Sequence, residues 1–265
     1  MTADLPNAKK SLGQHWLSDP ATLQSICDAA QLNTTDTVLE IGPGAGTLTT
    51  YLVRSAKQVV AVELDTKLAA TLSQNVPAPN LEVVNEDILK FDLSTLPQGY
   101  KVVANIPYYL TSHLLRVLSE SPYQPQTVVL LVQKEVAERV AAESGQMSLL
   151  SVSAQFYWQV SLGQVVAAEL FVPPPKVDSQ VLILERRAQP VFTDVEPEAF
   201  FRVVKAGFAN RRKTLENSLA GGLHLAKDRT REIIDQAGLA AGVRAQELTL
   251  DQWYQLYKSA QKNVL

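Results

Sequence analysis

The sequence predicts an α/β fold: a mostly parallel β-sheet with helices on both faces, followed by a small all-helical domain at the C-terminus. Three observations carry that expectation. Short Val- and Ile-rich runs alternate with stretches of helical periodicity through the first half of the chain. A Gly-rich turn, Gly42-Pro43-Gly44-Ala45-Gly46, follows one of these runs directly. After Arg187 the strand-like runs stop and only helical patterns remain.

Taken in order, Thr37-Val38-Leu39-Glu40-Ile41 is a buried strand running into the Gly turn, and Thr47 to Ala56 a helix opening on a Thr. Gln58–Glu63 is a second strand, and Asp65 starts a helix that runs to about Asn75. Leu81–Val84 is a third strand, ending at Asn85-Glu86-Asp87. Lys101–Ala104 is a fourth, ending at Asn105, with a helix from Thr111 to about Ser119 behind it. Thr127–Val132 is a fifth strand, and Glu135 to Ala142 a helix. Gln164-Val165-Val166 and Val181-Leu182-Ile183-Leu184, separated by Pro173-Pro174-Pro175, fit two strands closing an edge. Residues 188–197 carry two Pro and no helical period, so they form a linker. Glu198–Phe208, Arg211–Leu219, Arg229–Ala237 and Asp251–Ser259 are helical patterns broken at Ala220-Gly221-Gly222 and Gly238. The expected domains are therefore 1–187 and 188–265.

The chain has 265 residues, of which 46% are hydrophobic, enough for one large domain or a medium domain plus a small one. No apolar run is long enough to cross a bilayer, and Met1–Asn7 lacks the apolar stretch of a leader. The one cysteine, Cys27, lies in an apolar helical stretch; it has no internal disulfide partner and no metal spacing. A reducing compartment, most simply the cytoplasm, and a monomer are expected. The net charge of −3 argues against a nucleic-acid partner, but the basic residues cluster at Lys9-Lys10, Arg186-Arg187 and Arg211-Arg212-Lys213, and phosphates respond to local potential.

Strand, Gly-rich turn and helix together form a place where ligand atoms approach the backbone. Gly42, Gly44 and Gly46 are spaced G-x-G-x-G, one position short of the dinucleotide fingerprint. Glu40 just before the turn is unfavourable for a pyrophosphate but suits a cation. S-adenosylmethionine, with a sulfonium and an ammonium, is such a ligand. Glu63, at the end of the second strand, is placed to accept from both ribose hydroxyls. Asp87 is placed to accept from the cofactor's adenine amino group, its alternative being a capping residue.

Asn105-Ile106-Pro107-Tyr108 is the second half of the argument. The lone pair of an adenine N6 is delocalised into the ring, so the nitrogen is a poor nucleophile. Two acceptors holding its N–H groups pyramidalise it toward a methyl donor, and the Asn105 side-chain oxygen and the Ile106 carbonyl suit that task. Pro107 fixes the backbone and extends Ile106. Tyr108 offers a flat face to an extruded base, and its ring also suits a cationic methyl donor. The alternative for Tyr108 and Tyr109 is a pair of core aromatics.

Six stretches resemble one family, the small-subunit (16S) rRNA adenine N6,N6-dimethyltransferases of the KsgA type, over nearly the whole chain. They are Lys10–Leu17, Glu40–Gly46, Asn105–Tyr109, Gln133–Ala137, Phe171–Ser179 and Phe208–Thr214. The resemblance implies a Rossmann-like S-adenosylmethionine-dependent methyltransferase domain and a helical domain that recognises rRNA. It also implies two methyl transfers to each of two adjacent adenosines near the 3′ end of 16S rRNA, in the assembling small subunit. It carries cofactor contacts onto His15, Leu17, Gly42, Glu63, Asp87 and Asn105; His15 stands where the family commonly has Asn. It matches Phe171 to a second aromatic sandwiching the flipped adenine against Tyr108, the alternative being a core Phe. It gives Arg211, Arg212 and Lys213 to rRNA phosphates. Two competitors remain: a resistance-type 23S rRNA methyltransferase with the same core, and a non-catalytic assembly or transcription factor. The second predicts a damaged tetrapeptide or Gly turn, and both are intact. A nicotinamide dehydrogenase leaves Asn105–Tyr108 unexplained.

Overall fold

Residues 6, 9, 13–189 and 191–263 are described by the computed structural model. Lys10, Ser11 and Leu12 of the N-terminal motif, Pro190 of the linker, and Met1–Leu5 and Asn7, read above for a leader, lie outside the described residues.

Strand and helix alternate as expected. The elements are β1 (Trp16–Leu17), α1 (Pro20–Ala29), β2 (Thr37–Ile41), α2 (Thr49–Ser55), β3 (Gln58–Glu63), α3 (Thr66–Asn75), β4 (Leu81–Asn85), β5 (Lys101–Asn105), α4 (Thr111–Glu120), β6 (Thr127–Gln133) and α5 (Lys134–Val140). There follow α6 (Leu149–Tyr157), β7 (Trp158–Val166), β8 (Phe171–Val172) and β9 (Ser179–Arg186), then α7 (Pro197–Phe208), α8 (Leu215–Leu223), α9 (Lys227–Gln236) and α10 (Leu250–Asn263).

The main sheet has the order β4-β3-β2-β5-β6-β9-β7. β4, β3, β2, β5 and β6 are parallel, and β9 runs antiparallel to β6. The expected pair closing one edge is therefore β9 and β7, and β7 is longer than its Gln164–Val166 core. Val38, Leu39, Val102, Val103 and Val128–Val132 are wholly buried, as a sheet covered on both faces requires. The chain moves outward from β2 to β3 and β4, then returns to place β5 on the other side of β2. That reversal opens a crevice at the carboxyl ends of β2 and β5. Leu39 pairs with Val102, and extending the register brings Gly42 level with Asn105. The Gly turn and the Asn105 turn are thus set side by side by topology. β5 is anchored at its other end by Lys101, whose buried ammonium reaches Asp36 at 2.9 Å and the carbonyls of Ala30 and Gln31 at 3.1 and 2.8 Å.

Helix starts follow local chemistry. Asp19 and Asp65 cap α1 and α3, accepting from Thr22 N and Lys67 N. Thr47 does not cap α2: the helix begins at Thr49, after Leu48, with no side-chain cap.

The chain packs as two units, Met1–Ala137 with Gln159–Arg186, and Glu138–Trp158 with Arg187–Leu265. A division at 187/188 alone does not describe this packing. Helix α6, which was not among the expected elements, belongs with the helical unit: Val152 and Phe156 share a buried core with Phe200, Val203, Leu219, Trp253 and Tyr257. The Phe156 and Phe200 rings lie 5.0 Å apart. Ser148 and Ser151 start α6 with a reciprocal capping box. Arg211, Arg212 and Lys213 are exposed in the turn before α8, which opens at Leu215 behind its Thr214 cap, rather than inside a helix.

Candidate active site

A cavity of about 230 Å³ sits in the first unit at the crevice between β2 and β5. Its walls come from the segment around β1 (Gly13–Leu17), the Gly turn, the end of β3 (Val62–Leu64), the loop after β4 (Glu86–Leu89) and the turn after β5 (Asn105–Leu110). Of the residues expected at a cofactor site, His15, Leu17, Gly42, Gly44, Glu63, Asp87 and Asn105 all line it.

The Gly turn is built by close approach. Gly42, Gly44 and Gly46 have φ of 65°, 58° and 86°, which disfavour any other residue. A Cβ on Gly44 would lie 2.3 Å from the Trp16 ring, whereas one on Gly42 would meet nothing within 4 Å and would project into open space. Trp16 is itself tethered, its indole N–H donating to Pro6 O at 2.7 Å. This indole is a structural partner of the turn that the sequence alone does not reveal.

Glu63 is 5% exposed and holds the turn from below. One carboxylate oxygen accepts from Gly44 N at 3.0 Å and the other from Asp65 N at 2.8 Å. Burial raises its pKa, against those backbone N–H groups, which lower it. Asp65 in turn meets the Lys9 ammonium, which holds its carboxyl below the usual range. Asp87 Oδ1 accepts from Leu89 N at 3.0 Å, so its turn-capping role is real even as the residue lines the cavity.

Glu40 is 1% exposed, and its Oε2 has no hydrogen-bond partner; neither does its neighbour Thr49 Oγ1. An orphaned carboxylate oxygen on a cavity wall suits a cationic ligand. Burial pushes the Glu40 carboxyl up to about 8, and the Glu63 carboxylate adds to the rise. An unfolded Glu titrates near about 4.3. The folded chain thus holds the proton more tightly, and the stability so gained is full at low pH and lost as pH rises through about 8. The melting temperature of the ligand-free protein should fall between pH 6 and 8.5, and Glu40→Gln should remove most of that fall. An unchanged pH dependence in the variant would rule Glu40 out as its source.

The tetrapeptide forms part of the cavity wall. Asn105 Nδ2 donates to His15 O at 3.5 Å, leaving Oδ1 to accept. Pro107, at φ −56° and ψ 132°, leads into a short 3-10 turn at Tyr108–Leu110. Tyr108 is half-buried, its phenol 2.8 Å from Ser179 Oγ, and Tyr109 is 65% exposed. The His15 ring lies 6.0 Å from that of Tyr108 at 19°, and its Nδ1 donates to Pro173 O at 2.7 Å.

Phe171 is the expectation the structure does not meet. It is 2% exposed, packed in the core with Leu17, Leu23, Val166 and Val181, and it is not part of the cavity wall. The reason is strand pairing: β8 runs antiparallel to β1, placing Phe171 opposite buried Leu17. Phe171 thus occupies the core position that was the alternative to a stacking role.

Comparison with known proteins identifies this arrangement. The family model described as ribosomal RNA adenine dimethylase matches residues 6–262. This chain belongs to the ribosomal RNA adenine dimethylase family. It is 43% identical over 253 residues to a ribosomal RNA small subunit methyltransferase A of Dehalococcoides mccartyi, covering 94% of this chain and 87% of the relative. A protein of the same name from Streptococcus pneumoniae is 41% identical, with 91% and 88% covered. Among solved structures, a dimethyladenosine transferase from Plasmodium falciparum superposes with a TM-score of 0.82 at 26% identity, covering 94% of this chain and 98% of that one. The 23S rRNA methyltransferase ErmE gives 0.76 at 31%, covering 93% and 99%. A dimethylase of this family needs a place for its methyl donor, and the cavity is the candidate for it. Orphaned Glu40 and the open face at Gly42 fit a cationic ligand, and Glu63 and Asp87 are further carboxylates on the cavity wall.

Proposed function

We propose that this dimethylase uses S-adenosylmethionine to methylate the N6 amino groups of two adjacent adenosines near the 3′ end of 16S rRNA, twice each, in the assembling small ribosomal subunit. The observation that carries the reading is the Asn105–Tyr108 turn in the wall of a cavity with an orphaned carboxylate. The small-subunit names of relatives at 41–43% identity favour 16S over 23S rRNA. We further place the enzyme in the cytoplasm as a monomer; among the described residues no helix is long and apolar enough to cross a membrane.

The cofactor, when bound, supplies an electrophilic methyl group on sulfur. The chain's own residues bind and aim. Glu40 balances the ligand's positive charge, and Glu63 accepts from ribose hydroxyls. Leu17 and His15 line the same cavity. Asn105 Oδ1 and the Ile106 carbonyl accept the two N6–H bonds in the first transfer, and one of them accepts the remaining N6–H in the second, so that the nitrogen lone pair turns out of the purine plane. Tyr108 stacks on the base. The nitrogen sheds one proton per transfer, so positioning and electrostatics do the work and no strong base is required.

Arg211, Arg212 and Lys213 are assigned to rRNA phosphates, their exposure in the turn before α8 leaving all three accessible. Replacing the three with Ala should weaken subunit binding and lower the slope of log K against log salt by roughly two. An unaltered slope would move the phosphate contacts elsewhere. The reading as a whole is tested by radiolabelled methyl transfer to small subunits lacking the modification. Label in small-subunit rRNA is expected; label only in large-subunit rRNA would contradict it.

A further inference from the structure

The segment Phe171–Ser179 stays outside the cavity wall, yet its last residue touches the catalytic turn. Ser179 opens β9, is wholly buried, and its Oγ lies 2.8 Å from Tyr108 Oη. The sheet fixes that serine, pairing it with Gln133 across the β6–β9 ladder. The preceding Asp178 adds two ties: its carbonyl accepts from Lys134 N and its carboxylate from Ala168 N, both at 3.0 Å. The same segment reaches Tyr108 a second way, through Pro173 O and the His15 ring that lies beside it.

We propose that Ser179 is a positioning residue for the methyl transfer, holding the Tyr108 ring in the plane that receives the flipped purine. The proposal rests on the reading that Tyr108 stacks on the target adenine. A tyrosine on a turn has two side-chain torsions with which to swing. A hydrogen bond at the far end of the ring, to a residue locked in a sheet, fixes both. A purine stacked on a fixed ring presents N6 at one place, and a misplacement of about 1 Å is enough to cost on the order of 10²-fold in rate. On this account the serine contributes to turnover through the phenol, with no contact to cofactor or base of its own.

The test is a double-mutant cycle of Ser179→Ala and Tyr108→Phe, assayed on stripped small subunits, with thermal melting and calorimetric cofactor binding as controls. Each single variant should lower kcat roughly three- to ten-fold, with cofactor affinity and melting near wild type, and the double variant should be no worse than either. Losses that multiply, or a Ser179→Ala enzyme with wild-type kcat, would overturn the proposal. Tyr108→Phe leaves β9 untouched, so wild-type kcat in that variant overturns it even if Ser179→Ala fails to fold. A readout independent of turnover is the Tyr108 ring resonance in carbon-13 tyrosine-labelled protein. It should shift or broaden in Ser179→Ala, and an unchanged signal overturns the contact. A wild-type enzyme inert on subunits would instead sink the assigned reaction, while the resonance still judges the contact.

Discussion

Asn105→Ala should reduce methyl transfer by about 10²-fold or more while weakening cofactor binding only several-fold. Loss of a single preorganised polar group at a reacting centre has effects of this size, because nothing else reorganises to replace it. Asn105 ends β5, level with Gly42, and its amide nitrogen is already committed to His15 O. Its oxygen is the acceptor left for an N6–H bond. Removing it leaves the Ile106 carbonyl to act alone, and one acceptor does not hold both N–H bonds. The cofactor keeps Glu40, Glu63 and the Gly turn, so affinity should survive. Single-turnover kinetics with stripped subunits measures the first quantity and calorimetry the second. Wild-type turnover in this variant would remove Asn105 from the mechanism.

Glu63→Gln should be as damaging to cofactor affinity as Glu63→Ala, on the order of 10²-fold in each case, since hydrogen bonds to a charged group contribute about 1.5–3 kcal/mol. The isostere fails for a geometric reason. Both carboxylate oxygens accept from backbone N–H groups, Gly44 on one side and Asp65 on the other. A glutamine must point its own NH2 at one of them, donor against donor. The Gly turn then loses its support, and the ribose hydroxyls lose one acceptor. Unchanged affinity in calorimetry would refute the ribose role.

These expectations show which parts of the site were legible in the sequence. The crevice was legible because it follows from topology: strand ends alternate with helices, and the turn after β2 and the turn after β5 must meet at the point where strand order reverses. The acids at strand ends were legible for the same reason. Contacts made across the chain were not. Trp16 against Gly44, Lys9 against Asp65 and Ser179 against Tyr108 depend on loops whose paths no periodicity records. Phe171 lies in the core rather than on the cavity wall because a two-residue strand pairing turns it inward, a register that the Pro-rich sequence around it does not signal. Helix α6 was missed because it passes directly into β7 without a Gly or Pro break, its last residue Tyr157 adjoining Trp158. Its capping serines, Ser148 and Ser151, would suit a turn equally well.

The most direct test of the central claim is mass spectrometry of the 3′-terminal 16S rRNA fragment, taken from unmodified small subunits after incubation with the purified protein and S-adenosylmethionine. The expected result is two methyls on each of two adjacent adenosines. Subunits that bind the protein tightly but gain no methyl at those adenosines would contradict the account, and would make the chain an assembly factor built on an idle methyltransferase fold.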